Sequence, residues 1–379
     1  MQETSVGRKG LAISIMVLVL AVTIAPFTAQ GQTLGKNIIT VDDEPGDADY
    51  TSIKEAVQHA GYGDTIEVYS GTYQEHDIDI AKPGLTLKGI PHELGNGDDT
   101  GKPVITSANN VTMLNVWGPD VTVTNFTIID ASPLNLATFP ILLKGNNCTF
   151  SYNNVTGGWT TLSVGSDEAT LPPFEIRIMQ NTIEHSTIGI YFSGTQGNIS
   201  HNVFRSCMYQ AIEVFAQSTN TIISYNTISN CSTGILYYNG SDSTIAHNLI
   251  SAGVGIDLET DNMDNITIAR NELRQCRIGI LLDFRQSIMR VQQNNFIGNG
   301  GDVKLIQTVW RTSTRFHPRI FDGNYYDTWK TGPKWIRGRA IIYIIPMFWG
   351  GEFFFVIPIW VPWFYRDPSP AQQPYDIGV

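Results

Sequence analysis

Charge is scarce in this sequence: 16% of its 379 residues are Asp, Glu, Lys or Arg, against the ~25% usual in soluble chains. What charge there is runs negative, with 24 Lys and Arg against 35 Asp and Glu, a formal net of -11. Nucleic acid and anionic membrane surfaces both need a basic footprint, so neither is an expected partner. Histidine is thin, seven residues scattered along the chain, and copper needs convergent His, Cys or Met. An unbroken apolar span is also missing from the far end. Pro346, Pro358, Pro362, Glu352 and the Gly350-Gly351 pair interrupt every window of ~20 residues there, which argues against a transmembrane helix.

What the chain does have is a repeat. From Glu175 to Ile306 an apolar residue is followed three places on by Asn, then two further by another apolar residue. The pattern is seen at Ile178/Asn181/Ile183, Ile199/Asn202/Phe204, Ile223/Asn226/Ile228, Ile245/Asn248/Ile250, Ile268/Asn271/Leu273 and Val291/Asn294/Phe296. The Asn residues step by 21, 24, 22, 23 and 23, a period that means stacked units, each unable to bury its apolar face alone. A leucine-rich repeat would need a Leu ladder and usually a helical return, whereas here Ile and Val alternate, which says strand. A second strand comes next in each unit: Gly189-Ile190, Ala211-Ile212, Gly234-Ile235, Gly255-Ile256 and Gly279-Ile280. With 42% hydrophobic residues and 35 Gly, the expected fold is an all-β parallel solenoid with coils ~4.8 Å apart. Asn181, Asn202, Asn226, Asn248, Asn271 and Asn294 would form a hydrogen-bonded structural ladder at a corner. The fifth residue after each Asn is Ser186, Cys207, Cys231, Gly253, Cys276 or Asn299, mostly small, as a tight corner requires. A Cys207–Cys231 disulfide is open to an exported protein, but in-register parallel neighbours give it awkward geometry, and free core thiols are expected.

These features resemble the right-handed parallel β-helix proteins of the pectin-lyase-like group, especially the NosD-type repeat branch. The resemblance, and not the spacing, supplies the right hand. Ser52-Ile-Lys-Glu55 with Gly63-Asp-Thr-Ile66 and Gly71-Thr-Tyr73 is similar to the start of many exported members. Gly323-Asn-Tyr-Tyr326 resembles the element that ends many NosD-type domains, and Asp367-Pro-Ser-Pro-Ala371 a tail of archaeal members. Function is not implied by the fold, which carries lyases, hydrolases, esterases and inert scaffolds. The paired aspartates with His-Gly and Arg-x-Lys strings of polygalacturonases are missing here, and no pectate-lyase calcium cluster with a catalytic Arg can be assembled. The seven His give no basis for carrying over the copper role in the NosD name.

Four regions are expected. Residues 1–31, with Arg8-Lys9 before the apolar run Leu11 to Ala25 and small residues at Ala29 and Gly31, read as an export leader cleaved after Gly31, with an uncleaved membrane anchor as the rival. Residues 38–103 make an N-terminal cap and first coils, in which Ser52 to Glu55 is a capping box and Ile53, Ala56, Val57 and Ala60 are one face of a short helix. Residues 104–310 hold the repeats, and 311–379 a C-terminal cap with an aromatic β-hairpin around Gly350-Gly351. Residues 341–362 either close the last coil or contact a membrane or subunit. Eight Asn-x-Ser/Thr sequons, at Asn110, Asn125, Asn147, Asn154, Asn198, Asn230, Asn239 and Asn265, fit an exported chain, but an Asn- and Thr-rich solenoid produces them by chance.

In the Gly-Ile strands a period of two turns the Ile inward and presents Tyr191, Ser193, Glu213, Phe215, Leu236, Tyr238, Asp257, Glu259, Leu281, Asp283 and Lys304 to water. Aromatics with acids suit sugar rings, so Tyr191, Glu213, Phe215, Tyr238, Asp257 and Lys304 are the expected contacts of a polysaccharide or cell-wall glycan. The alternative is an aromatic column that only packs on itself. Glu259 and Asp283 fall in one column on adjacent coils and are the candidate catalytic acids of a lyase or glycoside hydrolase, with Arg285 near; solvated surface acids are the commoner case. Two acidic loops, Asp42-Asp43-Glu44 with Asp47 and Asp49, and Asp98-Asp99, offer oxygen ligands. Neither has a calcium-loop spacing, so solvated loops are expected, no metal site is assigned, and calcium is the one cofactor left open.

Overall fold

Short strands of alternating β-branched residues stack rung upon rung, each burying its Ile or Val. The computed structural model describes residues 36–379 apart from 96, 133–138, 166–170, 216–217, 239, 261–264, 285–288, 310–319, 330 and 345–356. Only the backbone is described for 260, 283–284, 306–309, 337–344 and 357–363. The leader, Arg285 and the Gly350-Gly351 turn therefore lie outside the described residues. Lys36–Val379 forms one unit.

One wall of the solenoid is a 12-stranded sheet whose pairings are all parallel, for example Asn198–Ser200 on Ile222–Ser224 and that on Thr244–Ala246. The remaining strands form a 21-stranded sheet. In most rungs it receives two strands, such as Val203–Arg205 and Gln210–Val214, and in two rungs these fuse into Thr227–Tyr238 and Leu249–Thr260. The chain is thus a right-handed parallel β-helix, all-β apart from one short helix. Ile178, Ile199, Ile223, Ile245 and Ile268 lie in one column, and Ile190, Ile212, Ile235, Ile256 and Ile280 in another; all are fully buried. Each such side chain is worth ~1.5–3 kcal/mol of apolar burial.

Left-handed residues mark three corners. They are Gln180, His201, Tyr225, His247, Arg270 and Gln293 at the first, His185, Ser206, Asn230 and Gln275 at the second, and Gln196, Asn220, Asp242 and Asn265 at the third, with φ between 51° and 60°. Asn, Asp and His tolerate this conformation better than other side chains. Five of the sequon residues, Asn110, Asn125, Asn147, Asn230 and Asn265, have positive φ, which gives Asn a structural reason to be there.

The ladder residue comes directly after the first corner and turns inward. Asn226 is fully buried; its Oδ1 accepts from the Asn202 backbone N–H at 2.9 Å and from Asn202 Nδ2 at 3.0 Å. Its Nδ2 donates to Ile199 O at 2.9 Å and to Asn248 Oδ1 at 3.0 Å. The carbonyl used is that of the apolar residue three places before the preceding ladder Asn, which accounts for the apolar-x-x-Asn spacing. This bonding runs from Asn153 through Asn181, Asn202, Asn226, Asn248, Asn271 and Asn294 to Asn324. At its start Phe126 fills the Asn position and donates only its backbone N–H, to Asn153 Oδ1.

Both ends are closed. The helix Ile53–His59 lays Ile53, Ala56 and Val57 on the first coil. Ser52 accepts from Glu55 N–H at 3.2 Å, while the Ile53 and Lys54 N–H groups donate to the two oxygens of Glu75, each at 2.8 Å. At the other end Lys334–Ile344 pairs parallel with Val303–Val309, and Ile357–Asp367 then pairs antiparallel with it as a hairpin. Pro358 and Pro362 lack an N–H, which hinders a further strand on that edge. The hairpin delivers the buried Asp367, whose carboxylate accepts from Gly323 N–H, Asn324 N–H, Asn324 Nδ2 and Tyr326 O–H at 3.0–3.3 Å. Beyond it the tail turns back over earlier rungs. Tyr375 and Asn295 exchange two bonds of 2.8 Å, and Ile377 O lies 2.8 Å from His247 Nδ1.

Candidate ligand-binding face

The candidate residues lie on the Gly-Ile strands, whose glycines pack closely on the next rung, with Ala211 taking the glycine's place in one of them. A Cβ on Gly255 would lie 2.5 Å from Gly279 O, so the backbones close up and fix the register of the rest of the strand. That register places Tyr191, Glu213, Leu236, Asp257, Leu281 and Lys304 in one column. The residues two further on form a second, in which Tyr238 pairs with Glu259 and Glu259 with Asp283.

Aromatic rings bridge the two columns. Tyr191 and Phe215 have centroids 5.7 Å apart, and Phe215 and Tyr238 are stacked at 5.2 Å and 14°. All three are half-buried, and Phe215 has a neighbouring ring on either side. Glu213 is also half-buried, and burial pushes its carboxyl above the ordinary range. Glu259 and Lys304 are exposed. Asp257 departs from the expectation of an outward acid: it is 8% exposed, packed in a column between Leu236 and Leu281. Alternation sets the side of the sheet, and the apolar neighbours above and below set the burial. For the pair Glu259/Asp283 the backbone register is the described fact, and the Asp283 side chain is not described.

Elsewhere, His201, Tyr225 and His247 stack at the first corner with centroids 4.9 and 4.7 Å apart, so Tyr225 separates the two imidazoles. Trp159 meets Tyr209 edge-on at 6.4 Å, and Phe139 is 38% exposed. All four cysteines are free and buried; the neighbouring Cys231 sulfur, together with burial, pushes the Cys207 thiol up.

Asp47, Asp49, Asp98 and Asp99 are exposed, as solvated loops require, and the departure is confined to Asp42 and its neighbours. Asp42 is fully buried, and its carboxyl is pushed up to about 7 by that burial and by Glu93, Glu44 and Asp43 around it. Glu44, Glu93 and Asp99 come together as a second group sharing Glu44 with Asp42 and Asp43. Nothing in the sequence singles out Glu93. About fifty positions separate it from the first loop, and only closure of the first coil brings them together. Asp49 is engaged separately, by the N–H and hydroxyl of Thr40 at 2.9 Å each.

Fold and corner pattern define the class as a right-handed parallel β-helix repeat protein. Within it, residues 174–331 match the profile of the NosD family, described as periplasmic copper-binding protein. No curated protein matches the sequence. Solved structures similar to this chain include XylC in complex with xylose, at 12% identity over 72% of this chain and 69% of that one, TM-score 0.47. The catalytic unit of a GH87 alpha-1,3-glucanase from Streptomyces thermodiastaticus is similar at 13% over 74% and 64%, TM-score 0.46. The periplasmic alginate epimerase AlgG is similar at 15% over 73% and 65%, TM-score 0.40. The chain spans less than two thirds of the length of the last two.

Copper does not fit the donors present. Among the described residues the only groups of three ligating side chains are carboxylate sets, Asp42/Asp43/Glu44 and Glu44/Glu93/Asp99, which suit hard cations, whereas copper prefers imidazole, thiolate and thioether. The His pair at the corner is split by a tyrosine ring. No step is derived through copper.

Proposed function

We propose that this protein is an exported glycan-binding β-helix that holds a polysaccharide or cell-wall glycan along the outer face of its Gly-Ile strands. The observation that carries the reading is the aromatic strip Tyr191, Phe215 and Tyr238, which continues across three rungs and is flanked by Glu213 and Glu259, with Lys304 three rungs beyond Tyr238 on the same face. Aromatic rings offer flat apolar bodies with polar tips, and a sugar ring presents an apolar face with a hydroxyl rim, so rings pack on it while the flanking acids take hydroxyls. The leader pattern and the periplasmic description of the matching family support an exported site of action. Binding by Tyr191→Ala/Phe215→Ala/Tyr238→Ala is expected to fall at least about 30-fold, two stacked rings being worth roughly 2 kcal/mol or more at ~1 kcal/mol each. Unchanged binding by a folded triple variant would assign the column to packing alone.

A second reading is a polysaccharide lyase or glycoside hydrolase, favoured by the register pairing of Glu259 with Asp283 on adjacent strands. Retaining glycosidases hold two carboxyls ~5–5.5 Å apart, close to the rung spacing. In this reading Glu259→Gln abolishes release of reducing ends or unsaturated products from a polysaccharide that the wild type cleaves. Undiminished cleavage by the variant excludes the pair.

A further inference from the structure

The geometry points to a divalent-cation site, of calcium type, that staples the N-terminal coil through Asp42, Asp43, Glu44 and Glu93. Three segments distant in sequence meet there: the chain leaving the first strand Ile38–Val41, the Gly71-Thr72 turn, and the residues Glu93 and Asp99. Ligand atoms of Asp42, Asp43 and Glu44 lie within 4.8 Å of one another, as do those of Glu44, Glu93 and Asp99.

Two features separate this cluster from an ordinary acidic patch. First, Asp42 is 0% exposed, and neither of its carboxylate oxygens meets an N–H or O–H donor. A buried carboxylate without a donor is costly enough that a proton or a metal ion is expected to neutralise it. Second, two of its neighbours, Asp43 and Glu93, are each aimed by one oxygen and leave the other unfilled, and Glu44 adds a further buried oxygen. Asp43 Oδ2 accepts from Thr72 N–H at 2.9 Å and Glu93 Oε1 from Leu94 N–H at 3.1 Å, while Asp43 Oδ1, Glu44 Oε2 and Glu93 Oε2 are buried without a partner. Glu44 belongs to both groups, which joins these five oxygens into one acidic cluster with Asp99 at its exposed rim. Calcium takes six to eight oxygens in a flexible shell, so these five with a carbonyl or water suffice. Magnesium demands a near-ideal octahedron and keeps more of its water.

The local backbone is shaped to let the acids approach. Gly71 lies at φ +154°, and a Cβ there would overlap Asp43 Oδ1; a Cβ on Gly97 would collide with the Glu93 carboxyl.

Calorimetric titration of the EDTA-stripped full chain with calcium chloride is expected to show saturable binding with Kd roughly 10⁻⁶ to 10⁻⁴ M, and weaker binding of magnesium chloride. Calcium at a hundredfold excess over Kd should raise Tm by about 4 °C. Asp42→Asn should weaken binding about tenfold or more and melt higher than the wild type in calcium-free buffer, because it relieves carboxylate repulsion. Should Asp42→Asn fail to fold, Glu44→Gln, at the half-exposed side, tests the same site by an equal loss of affinity. Absence of both binding heat and a Tm shift in the wild type at about 10 mM calcium, above the weakest calcium modules, would overturn the site and assign Asp42 a proton shared with Glu93. Wild-type affinity in a folded Glu44→Gln would overturn it equally.

Discussion

Replacing Asn226 by Leu is expected to destabilise the protein by about 3–6 kcal/mol, read as a drop in the urea midpoint with little change in m-value. The side chains are of similar size, so no large cavity opens and the loss is polar. Four groups lose a partner at once: Asn202 N–H and Nδ2, Ile199 O, and one of the donors to Asn248 Oδ1. A buried group left unsatisfied costs ~1–3 kcal/mol, and three of these have no alternative within a closed rung. A solenoid is held by nearest-neighbour terms, so the break weakens two rung interfaces together. Gln293→Ala, on the outer side of the same corner, is expected to cost less than about 1 kcal/mol. If Asn226→Leu shifted stability no more than that control, the ladder would be ornamental.

The second large effect falls at Asp367. Each described partner of its carboxylate is a donor: Gly323 N–H, Asn324 N–H, Asn324 Nδ2, Tyr326 O–H and Ser369 N–H. The last Asn of a ladder has no next rung to receive its N–H groups, and Asp367 takes that place with an acceptor-only side chain. Charge-assisted bonds of this kind are worth ~1.5–3 kcal/mol each, so Asp367→Ala should cost about 3–5 kcal/mol. Hydrogen exchange should locate the damage at 321–326 and 291–296. Asp367→Asn is expected to be nearly as harmful, because its NH₂ would face donors. A neutral Asp367→Asn would show that the ladder ends some other way.

These two predictions differ in how far the sequence announced them. Asn226 was legible because a period of 21 to 24 residues repeats its environment six times over, and a repeat needs no tertiary knowledge to be seen. The left-handed residue just before it was hidden, since Gln, His, Tyr and Arg share that position and none is a turn signal by itself. Asp367 was recognisable only as part of a tail, because its partner Asn324 lies 43 residues earlier across a hairpin that breaks the period. Glu93 was silent for the same reason. Asp257 shows a further limit: alternation placed it on the outer face, yet Leu236 and Leu281 in its column bury it. Sequence period fixes which side a residue is on, whereas its exposure depends on neighbours two dozen positions away.

The residues that close the ends and the aromatic strip lie in separate parts of the molecule. The acidic cluster around Asp42 and the Asp367 carboxylate lie toward opposite ends, leaving the aromatic strip at mid-height, where rung spacing sets the distance between rings.

The most direct measurement is a glycan array probed with the wild-type protein beside the folded Tyr191→Ala/Phe215→Ala/Tyr238→Ala variant, and then titration of the strongest hit. The expected result is binding to a polysaccharide class by the wild type and a loss of at least about 30-fold in the variant. Equal binding by both proteins, or none by either, would contradict a glycan site on this face.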